Sequence, residues 1–229
     1  MRYARAVGVW LSTVLLYLGV TLLGCGVGDL QRYVASGPRL GYAAVIVTFG
    51  AAVGWQALGG LEGIRGGRGE EGKEVGRQTA VRFALSLGLF GALFLLPYAD
   101  RRGLAVLPDV AALRWLGVLL AALGCAMVFW SGLALGRQYS PEVTIQKDHQ
   151  LITDGPYRWV RHPRYLGVMA LAVGASLVFR SWAGLAACLG LLGLTVQRIA
   201  DEEALLGREF GAQWEAYGQH SWRLILRVY

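Results

Sequence analysis

Four long stretches of this sequence contain no charged side chain, and they limit the possible fold more than any other feature. They hold 23, 22, 17 and 22 residues and occupy positions 6–28, 40–61, 83–99 and 115–136. About 20 apolar residues in a helix cross the roughly 30 Å hydrocarbon core of a bilayer, where every backbone polar group needs an internal partner. The sequence therefore predicts four membrane-spanning helices in these stretches.

Two further uncharged stretches are shorter. Positions 165–179 hold 15 residues and positions 181–197 hold 17, with Arg180 alone between them. Segments of this length can span a bilayer if their polar flanks reach the interface, or they can form a tight helical hairpin. We predict an all-α, polytopic helical membrane protein with about six transmembrane helices, the last two forming a hairpin.

The composition agrees with a membrane protein and indicates an orientation. Hydrophobic residues make up 55% of the chain and charged residues 16%, against about a quarter charged in soluble domains. With six spans, 16 of the 22 Lys and Arg residues fall on the side of both termini. Because basic residues concentrate in cytoplasmic segments, we expect both termini and the polar part of the chain to be cytoplasmic. The net charge of +7 suits an anionic inner leaflet, and no basic cluster is interleaved with aromatics as nucleic-acid binding would require.

Side chains suited to chemistry are concentrated in the C-terminal part of the chain. All three histidines, His149, His162 and His220, follow the fourth uncharged stretch. We divide the chain into a transmembrane scaffold of four helices at 1–136 and a second part at 137–229. The second part comprises a cytoplasmic loop, the hairpin and a C-terminal amphipathic helix.

The segment before the hairpin is broken by turns. Pro141 and the Asp154-Gly155-Pro156 sequence interrupt it, which predicts a structured loop with short extended pieces. Pro163 disfavours a helical conformation for His162 and suits the first position of the next helix. His162 is therefore expected at a helix N-terminus, where exposed amides favour an anionic group. The simpler alternative is a capping element among arginines that anchor the chain to lipid headgroups, namely Arg158, Arg161 and Arg164.

A second polar group follows the hairpin. In a helix Arg198 and Glu202 are four residues apart and share a face, whereas Glu203 points about 100° away. The simple alternative is a surface ion pair, although charged groups so near the bilayer are more often functional. An apolar stripe continues the helix through Leu205, Leu206, Phe210, Trp214 and Tyr217.

Together these blocks resemble the C-terminal signature of the isoprenylcysteine carboxyl methyltransferases and related phospholipid methyltransferases. An Arg-His-Pro-x-Tyr block and a Glu-Glu pair bracket a hydrophobic hairpin over roughly residues 137–220. The matching residues are Gly155-Pro156-Tyr157-Arg158, Arg161-His162-Pro163-Arg164-Tyr165-Leu166-Gly167, Glu202-Glu203, and Phe210-Gly211 with Tyr217. Upstream, Gln146 and His149-Gln150-Leu151-Ile152 are similar to the family's cofactor loop.

This resemblance implies an S-adenosylmethionine-dependent membrane methyltransferase with an all-helical fold. Arg198 and Glu202 would be catalytic, with Arg198 towards the substrate and Glu202 also near the cofactor. The remaining residues implied in cofactor binding are Gln146, His149, Gln150, Leu151, Ile152, Gly155, Tyr157, His162, Pro163, Tyr165 and Glu203. The acceptor would be lipophilic and reached from the membrane lipids: an isoprenylcysteine-like carboxylate, a lipid amine, or a small thiol or hydroxyl compound.

Two other functions fit parts of the sequence. Sterol-reductase-like membrane enzymes share a related helical C-terminal half and bind NADPH, although the Glu202-Glu203 pair favours the methyltransferase. A transporter or scaffold would carry more polar residues inside its spans. We expect no metal, because Cys25, Cys125 and Cys188 have neither the spacing nor the neighbouring histidines of a metal site.

Overall fold

The computed structural model describes residues 2–58, 87–88, 91–136 and 150–225, and the described part is helical. Its only β-type pairings are isolated bridges between Val106 and Ser181 and between Val160 and Trp222. The helices, in chain order, are α1 (Arg2–Val14), α2 (Val20–Cys25), α3 (Leu30–Val34), α4 (Gly37–Leu58), α5 (91–102), α6 (Ala111–Leu135), α7 (Pro163–Val178), α8 (Trp182–Phe210) and α9 (Ala212–His220). A π-helical turn at Leu15–Gly19 joins α1 to α2, and short 3₁₀ helices lie at Val27–Asp29 and Gly155–Arg158.

The apolar helices make this an integral membrane protein. Among the described residues, three helical segments are long and apolar enough to cross a bilayer: Ala6–Cys25, Ala111–Leu135 and Trp182–Phe210. Helix α4 has 22 residues and α7 has 16. The predicted stretch at 83–99 lies partly outside the described residues, so the count of six spans stays a prediction.

Helices α6 and α7 form an antiparallel pair that approaches closely through glycines. A Cβ atom added to Gly124 would lie 2.6 Å from the carbonyl oxygen of Gly167, and one on Gly117 would lie 2.7 Å from that of Gly174. Ala121, fully buried, lies between the two contacts. Small residues let helix backbones approach in a membrane, where van der Waals packing drives association.

The connections of these helices define two ends of the molecule. At one end, Gly155 packs against Ala134 and Trp130 near the C-terminus of α6. At the other end, Arg114 near the start of α6 donates to the carbonyl of Val178 at the end of α7. About 20 helical residues lie between Arg114 and Ala134, so the two ends are roughly 30 Å apart.

The hairpin of α7 and α8 turns at 179–181, as the charge pattern predicts. Arg180 has a positive φ of 50°, and the Ser181 side chain caps α8 by accepting from the Gly184 amide at 3.0 Å. Helix α8 continues beyond its apolar run to Phe210, so the first part of the predicted C-terminal helix is a continuation of the hairpin. Residues 151–152 belong to no helix and no strand, and the short extended pieces expected there stay a prediction.

Replacing Gly124 with alanine should destabilise the protein through the α6–α7 contact. The added methyl group would meet the backbone of Gly167 and Leu171, which cannot move without separating the helices. Overpacking of this kind costs about 1–3 kcal/mol. Thermal unfolding in detergent, followed by tryptophan fluorescence, should give a lower midpoint for Gly124→Ala than for the unmodified protein.

Gly190→Ala is the matched control, because a Cβ on Gly190 in α8 meets no atom within 4 Å. Its midpoint should stay the same or rise slightly, since alanine favours a helix over glycine. Equal loss of stability in both variants would show that the α6–α7 approach is not the sensitive contact.

Candidate active site

The candidate site begins where the chain enters α7. His162 precedes the helix with φ −124° and ψ 57°, and Pro163 occupies the first helical position. Proline fixes the backbone there and lacks an N–H that would need a partner. The His162 side chain is consequently held against the bundle, with 5% of the residue exposed. The sequence prediction of a histidine at this helix N-terminus is confirmed.

A hydrogen-bonded chain joins α7 to α8. The Nε of Arg198 donates to the Tyr165 hydroxyl oxygen at 2.6 Å, and the same hydroxyl donates to Oε2 of Glu202 at 2.9 Å. Arg198 and Glu202 lie one helical turn apart on α8, as their spacing predicts. Tyr165 therefore fixes the positions of a cation and a carboxylate at the same time.

His162 lies between the two glutamates without a good hydrogen bond to either. Its Nδ1 is 3.9 Å from Oε2 of Glu202, and its Nε2 is 3.4 Å from Oε1 of Glu203. Its ring stacks on Tyr165, with centroids 5.8 Å apart and planes at 26°. The Nε2 atom is buried and forms no hydrogen bond with the described residues. Because its contact with Glu203 at 3.4 Å is not a hydrogen bond, this nitrogen is a candidate ligand contact.

Glu203 is held by two arginines from outside α8. The Nε of Arg161 donates to its Oε1 at 2.9 Å, and the Nε of Arg223 lies 2.9 Å from its Oε2. Only 11% of the Glu203 side chain is exposed. These ion pairs connect the segment before α7 and the C-terminal segment to the same carboxylate.

The segment after α9 pairs directly with the backbone that leads into α7. The amide of Arg161 donates to the Trp222 carbonyl at 2.7 Å, the Trp222 amide to the Trp159 carbonyl at 2.9 Å, and the His162 amide to the Arg223 carbonyl at 3.1 Å. The Arg161 guanidinium also donates to the carbonyls of Gly218 and Ser221 at 2.9 and 2.8 Å. The segment 221–225, which we call the C-terminal strap, therefore fixes the position of His162.

A tyrosine of helix α9 links this helix to the 3₁₀ helix at Gly155–Arg158. The Tyr217 hydroxyl donates to the Tyr157 carbonyl at 2.7 Å. Burial raises the pKa of Tyr217 to about 12, so the phenol keeps its proton and remains a donor at any physiological pH. The apolar stripe that the sequence predicts across this region is interrupted, because Gly211 has a φ of 48° and separates α8 from α9.

The structure brings together part of the predicted site. His162, Tyr165, Arg198, Glu202 and Glu203 form one cluster, which we call the His162–Glu202 cluster. Pro163 is buried beside it, and Tyr157 is buried in the preceding 3₁₀ helix.

Other predicted residues lie elsewhere. Within the described part of the chain, Gln150, Leu151 and Ile152 form no hydrogen bond or ion pair with the cluster. Gly155 has a positive φ of 62° and packs on α6 instead. Gln146 and His149 lie outside the described residues.

The sequence interpretation missed the residues that support the cluster. The sequence indicates Arg161 only as part of the Arg-His-Pro signature or as a membrane anchor, and it does not indicate Arg223 or Trp222. Their partners are 42, 20 and 63 positions away along the chain, so no local spacing indicates them. In the part of the chain that the structure describes, no three His, Cys, Asp or Glu side chains are grouped as metal ligands would be.

Comparison with known proteins shows that this region is similar to a known family. Residues 115–208 match the model of the isoprenylcysteine carboxyl methyltransferase family. That range contains α6 from Trp115 onward, all of α7, and α8 as far as Arg208, and therefore the whole His162–Glu202 cluster. The similarity to this family extends over less than half of the chain. The resemblance seen in the sequence motifs is thus confirmed.

Curated relatives of the same family match the chain in part. A protein-S-isoprenylcysteine O-methyltransferase of Schizosaccharomyces pombe is 42% identical over 72 residues, covering 31% of this chain and 30% of the relative. A probable protein-S-isoprenylcysteine O-methyltransferase of Oryza sativa subsp. indica is 31% identical over 108 residues, covering 46% of this chain and 56% of the relative. The chain therefore spans between about a third and just over half of these relatives.

The fold of the whole chain is also similar to a solved structure of the family. The eukaryotic intramembrane Ras methyltransferase ICMT aligns with a TM-score of 0.51 at 17% identity, over 98% of this chain and 96% of that one. The similarity extends to the N-terminal helices, in which the sequence contains no recognisable motif. At this identity the comparison concerns the fold alone.

Replacing Arg161 with glutamine should loosen the C-terminal strap. The change removes the ion pair to Glu203 and weakens the donors to Gly218 and Ser221. Hydrogen exchange measured by mass spectrometry should become at least about tenfold faster in peptides covering 212–225, as expected for a loss of about 1.4 kcal/mol of local stability.

Arg158→Gln serves as the control, since Arg158 is exposed in the neighbouring 3₁₀ helix and the change removes the same charge. Exchange in the strap should not change in this control. If Arg161→Gln also leaves exchange unchanged, the arginine does not hold the strap.

Proposed function

We propose that this protein transfers a methyl group from S-adenosylmethionine to the carboxylate of a lipophilic acceptor of the S-isoprenylcysteine type. The observation that carries the proposal is the His162–Glu202 cluster, which combines a buried histidine whose Nε2 forms no hydrogen bond, a partly exposed carboxylate and an arginine oriented by Tyr165. The family match over 115–208 supports it, and so do relatives named as protein-S-isoprenylcysteine O-methyltransferases.

The residues of the cluster fit the proposed cofactor. S-adenosylmethionine carries a carboxylate, an ammonium, a sulfonium and ribose hydroxyls. The unpaired Nε2 of His162 could bond to a polar group of the ligand. The Glu202 side chain, 32% exposed, could accept from an ammonium or a hydroxyl. Tyr165 would hold Glu202 in position, because its hydroxyl already donates to that carboxylate.

The arrangement suits a carboxylate acceptor better than an amine or hydroxyl. When bound, the cofactor supplies an electrophilic methyl group on a sulfonium. A terminal carboxylate has an ordinary pKa near 3.5 and is ionised at neutral pH, so no side chain must remove a proton from it. Arg198, oriented through its Nε by Tyr165, is a cation able to hold such a carboxylate in line with the methyl group.

The hydrophobic part of the acceptor has a path from the bilayer. Leu194 lies one helical turn before Arg198 on the same face of α8 and is 40% exposed. An isoprenyl chain could lie against this apolar side chain while its carboxylate reaches Arg198. The acceptor would then enter laterally from the lipid, and the cofactor from water.

We also propose the orientation and division of the chain. The N-terminal end of α1 lies at the same end of the molecule as the cluster. A Cβ on Gly54 in α4 would lie 2.9 Å from the carbonyl of Ala6 in α1, and the neighbouring Gln56 donates to the Phe129 carbonyl in the last part of α6 at 3.2 Å. With the bias of basic residues, this favours a cytoplasmic site and cytoplasmic termini. Residues 1–136 would provide the scaffold and 137–229 the cofactor-binding part.

Calorimetric titration of the detergent-purified protein with S-adenosylmethionine tests the proposal. We expect saturable binding to the unmodified protein. Glu202→Gln should weaken binding about 10- to 100-fold, because a charge-assisted hydrogen bond contributes roughly 1.5–3 kcal/mol. His162→Ala should weaken binding as well, because it removes the unpaired Nε2.

Glu209→Gln is the matched control, since Glu209 is exposed on the same helix and the substitution removes the same charge. It should bind as the unmodified protein does. Folded protein that binds NADPH but not S-adenosylmethionine would contradict the proposal. Equal weakening by Glu209→Gln and Glu202→Gln would contradict the assigned role of Glu202.

A further inference from the structure

A large basic pocket lies at the end of the molecule opposite the His162–Glu202 cluster. Its volume is about 680 Å³, and it is formed by the turn before α4, the end of α5, the start of α6 and the tip of the α7–α8 hairpin. Six arginines line it: Arg32, Arg39, Arg101, Arg102, Arg114 and Arg180. The candidate active site uses none of them, and the length of α6 separates the two sites by roughly 30 Å.

The bottom of the pocket is organised by one buried carboxylate. Asp100 has no exposed side-chain surface and lies 2.6 Å from Arg39, 3.3 Å from Arg114 and 2.7 Å from Arg180. Arg114 and Arg180 also approach Asp109, at 2.7 and 3.4 Å. The hydrogen bond from Arg114 holds the pKa of the Asp109 carboxyl below its ordinary value. The Asp109 carboxyl is therefore ionised at neutral pH, and Arg39, Arg114 and Arg180 are fixed in position by their contacts with the two aspartates.

Positive charge nevertheless exceeds negative charge around the pocket. Asp29, which pairs with Arg101 at 2.7 Å, is the third carboxylate nearby. Six arginines against three aspartates leave an excess of three positive charges. Within the described residues, Arg32 forms no ion pair with a carboxylate, and Arg102 contacts only the Tyr98 ring, at 5.7 Å from its centroid. The Nε of Arg39 is buried without a hydrogen-bond partner.

Exposed apolar side chains surround this basic pocket. Val34, Leu40, Leu104 and Trp115 are between 43% and 54% exposed and belong to the elements that form it. In a membrane-spanning bundle, such side chains at helix ends lie against acyl chains and the interface. A ligand that fills the pocket is therefore expected to have an anionic group, which contacts the arginines, joined to a hydrocarbon part, which contacts these apolar side chains.

We propose that this pocket binds the phosphate headgroup of an anionic phospholipid, on the membrane face opposite the active site. The guanidinium groups present several N–H donors to one anion, which matches phosphate geometry. Asp100 holds three arginines in place at the bottom of the pocket, Arg39, Arg114 and Arg180. Arg32 and Arg102 add positive charge at its rim. The bound lipid joins α4, α5, α6 and the hairpin tip, and so stabilises the bundle.

Lipid-dependent stability tests this site. The detergent-purified protein is titrated with phosphatidylglycerol, with phosphatidylcholine and with inorganic phosphate, while the thermal midpoint is recorded and bound lipid is counted by native mass spectrometry. We expect a saturable rise of the midpoint with phosphatidylglycerol and a smaller one or none with phosphatidylcholine. Arg32→Gln/Arg102→Gln should need at least about tenfold more phosphatidylglycerol for half of this rise.

Arg158→Gln/Arg208→Gln is the control for charge, because both arginines are exposed and lie towards the other end of the bundle. It should keep the response of the unmodified protein. If the double variant is unstable, the single variant Arg32→Gln replaces it. This variant should also need more phosphatidylglycerol for half of the rise, but by a smaller factor. Equal responses of the rim and control variants would overturn the proposal, as would an equal rise with inorganic phosphate at the same concentration.

Discussion

The close approach of α6 and α7 at Gly124 and Gly167 is the contact on which the geometry of the site depends. A Cβ on either glycine would lie within 2.7 Å of the other's carbonyl oxygen, so the two backbones touch without side chains between them. Helix α7 has only 16 residues and carries His162 and Tyr165 at its beginning. Its axial position against α6 therefore determines where these side chains meet Glu202 on α8.

Both ends of the helical bundle contain buried charge, and each end compensates it through residues distant in sequence. At the cluster end, Glu203 is paired with Arg161 and Arg223. At the other end, Asp100 is paired with three arginines from different elements. Removing one partner from such a group leaves an uncompensated charge, which costs about 3–5 kcal/mol. These groups therefore fix how the helices are arranged at each membrane face.

Much of the fold could be predicted from the sequence, because a bilayer leaves few alternatives to helices for long uncharged runs. The position of His162 followed from Pro163, and the shared face of Arg198 and Glu202 followed from helical spacing. The break between α8 and α9 at Gly211 did not, because the apolar stripe continues through it and helical spacing does not indicate a positive φ. No spacing in the sequence indicated that His162 and Tyr165 meet Arg198 and Glu202. The prediction that they form one site came from the resemblance to known motifs.

The contacts that the sequence did not indicate are those between distant segments. Tyr165 bridges Arg198 and Glu202 across 33 and 37 positions, and Trp222 pairs with the backbone at Trp159. Such contacts have no periodicity and depend on the three-dimensional packing of α7 against α8. The sequence did not indicate the basic pocket either. Its arginines come from four parts of the chain, and each has the position of an ordinary residue at the end of a membrane-spanning helix.

Methyl transfer itself is the most direct test of a methyltransferase site at the His162–Glu202 cluster. The protein is reconstituted in lipid vesicles and given S-adenosylmethionine labelled in its methyl group, together with a farnesylated cysteine that has a free carboxylate. Label should appear in a product that releases methanol on treatment with base, as a methyl ester does, and this signal should fall sharply in Glu202→Gln but not in Glu209→Gln. Folded protein that binds the cofactor but forms no base-labile product, or that labels equally well in both variants, would contradict a carboxyl methyltransferase site in this cluster.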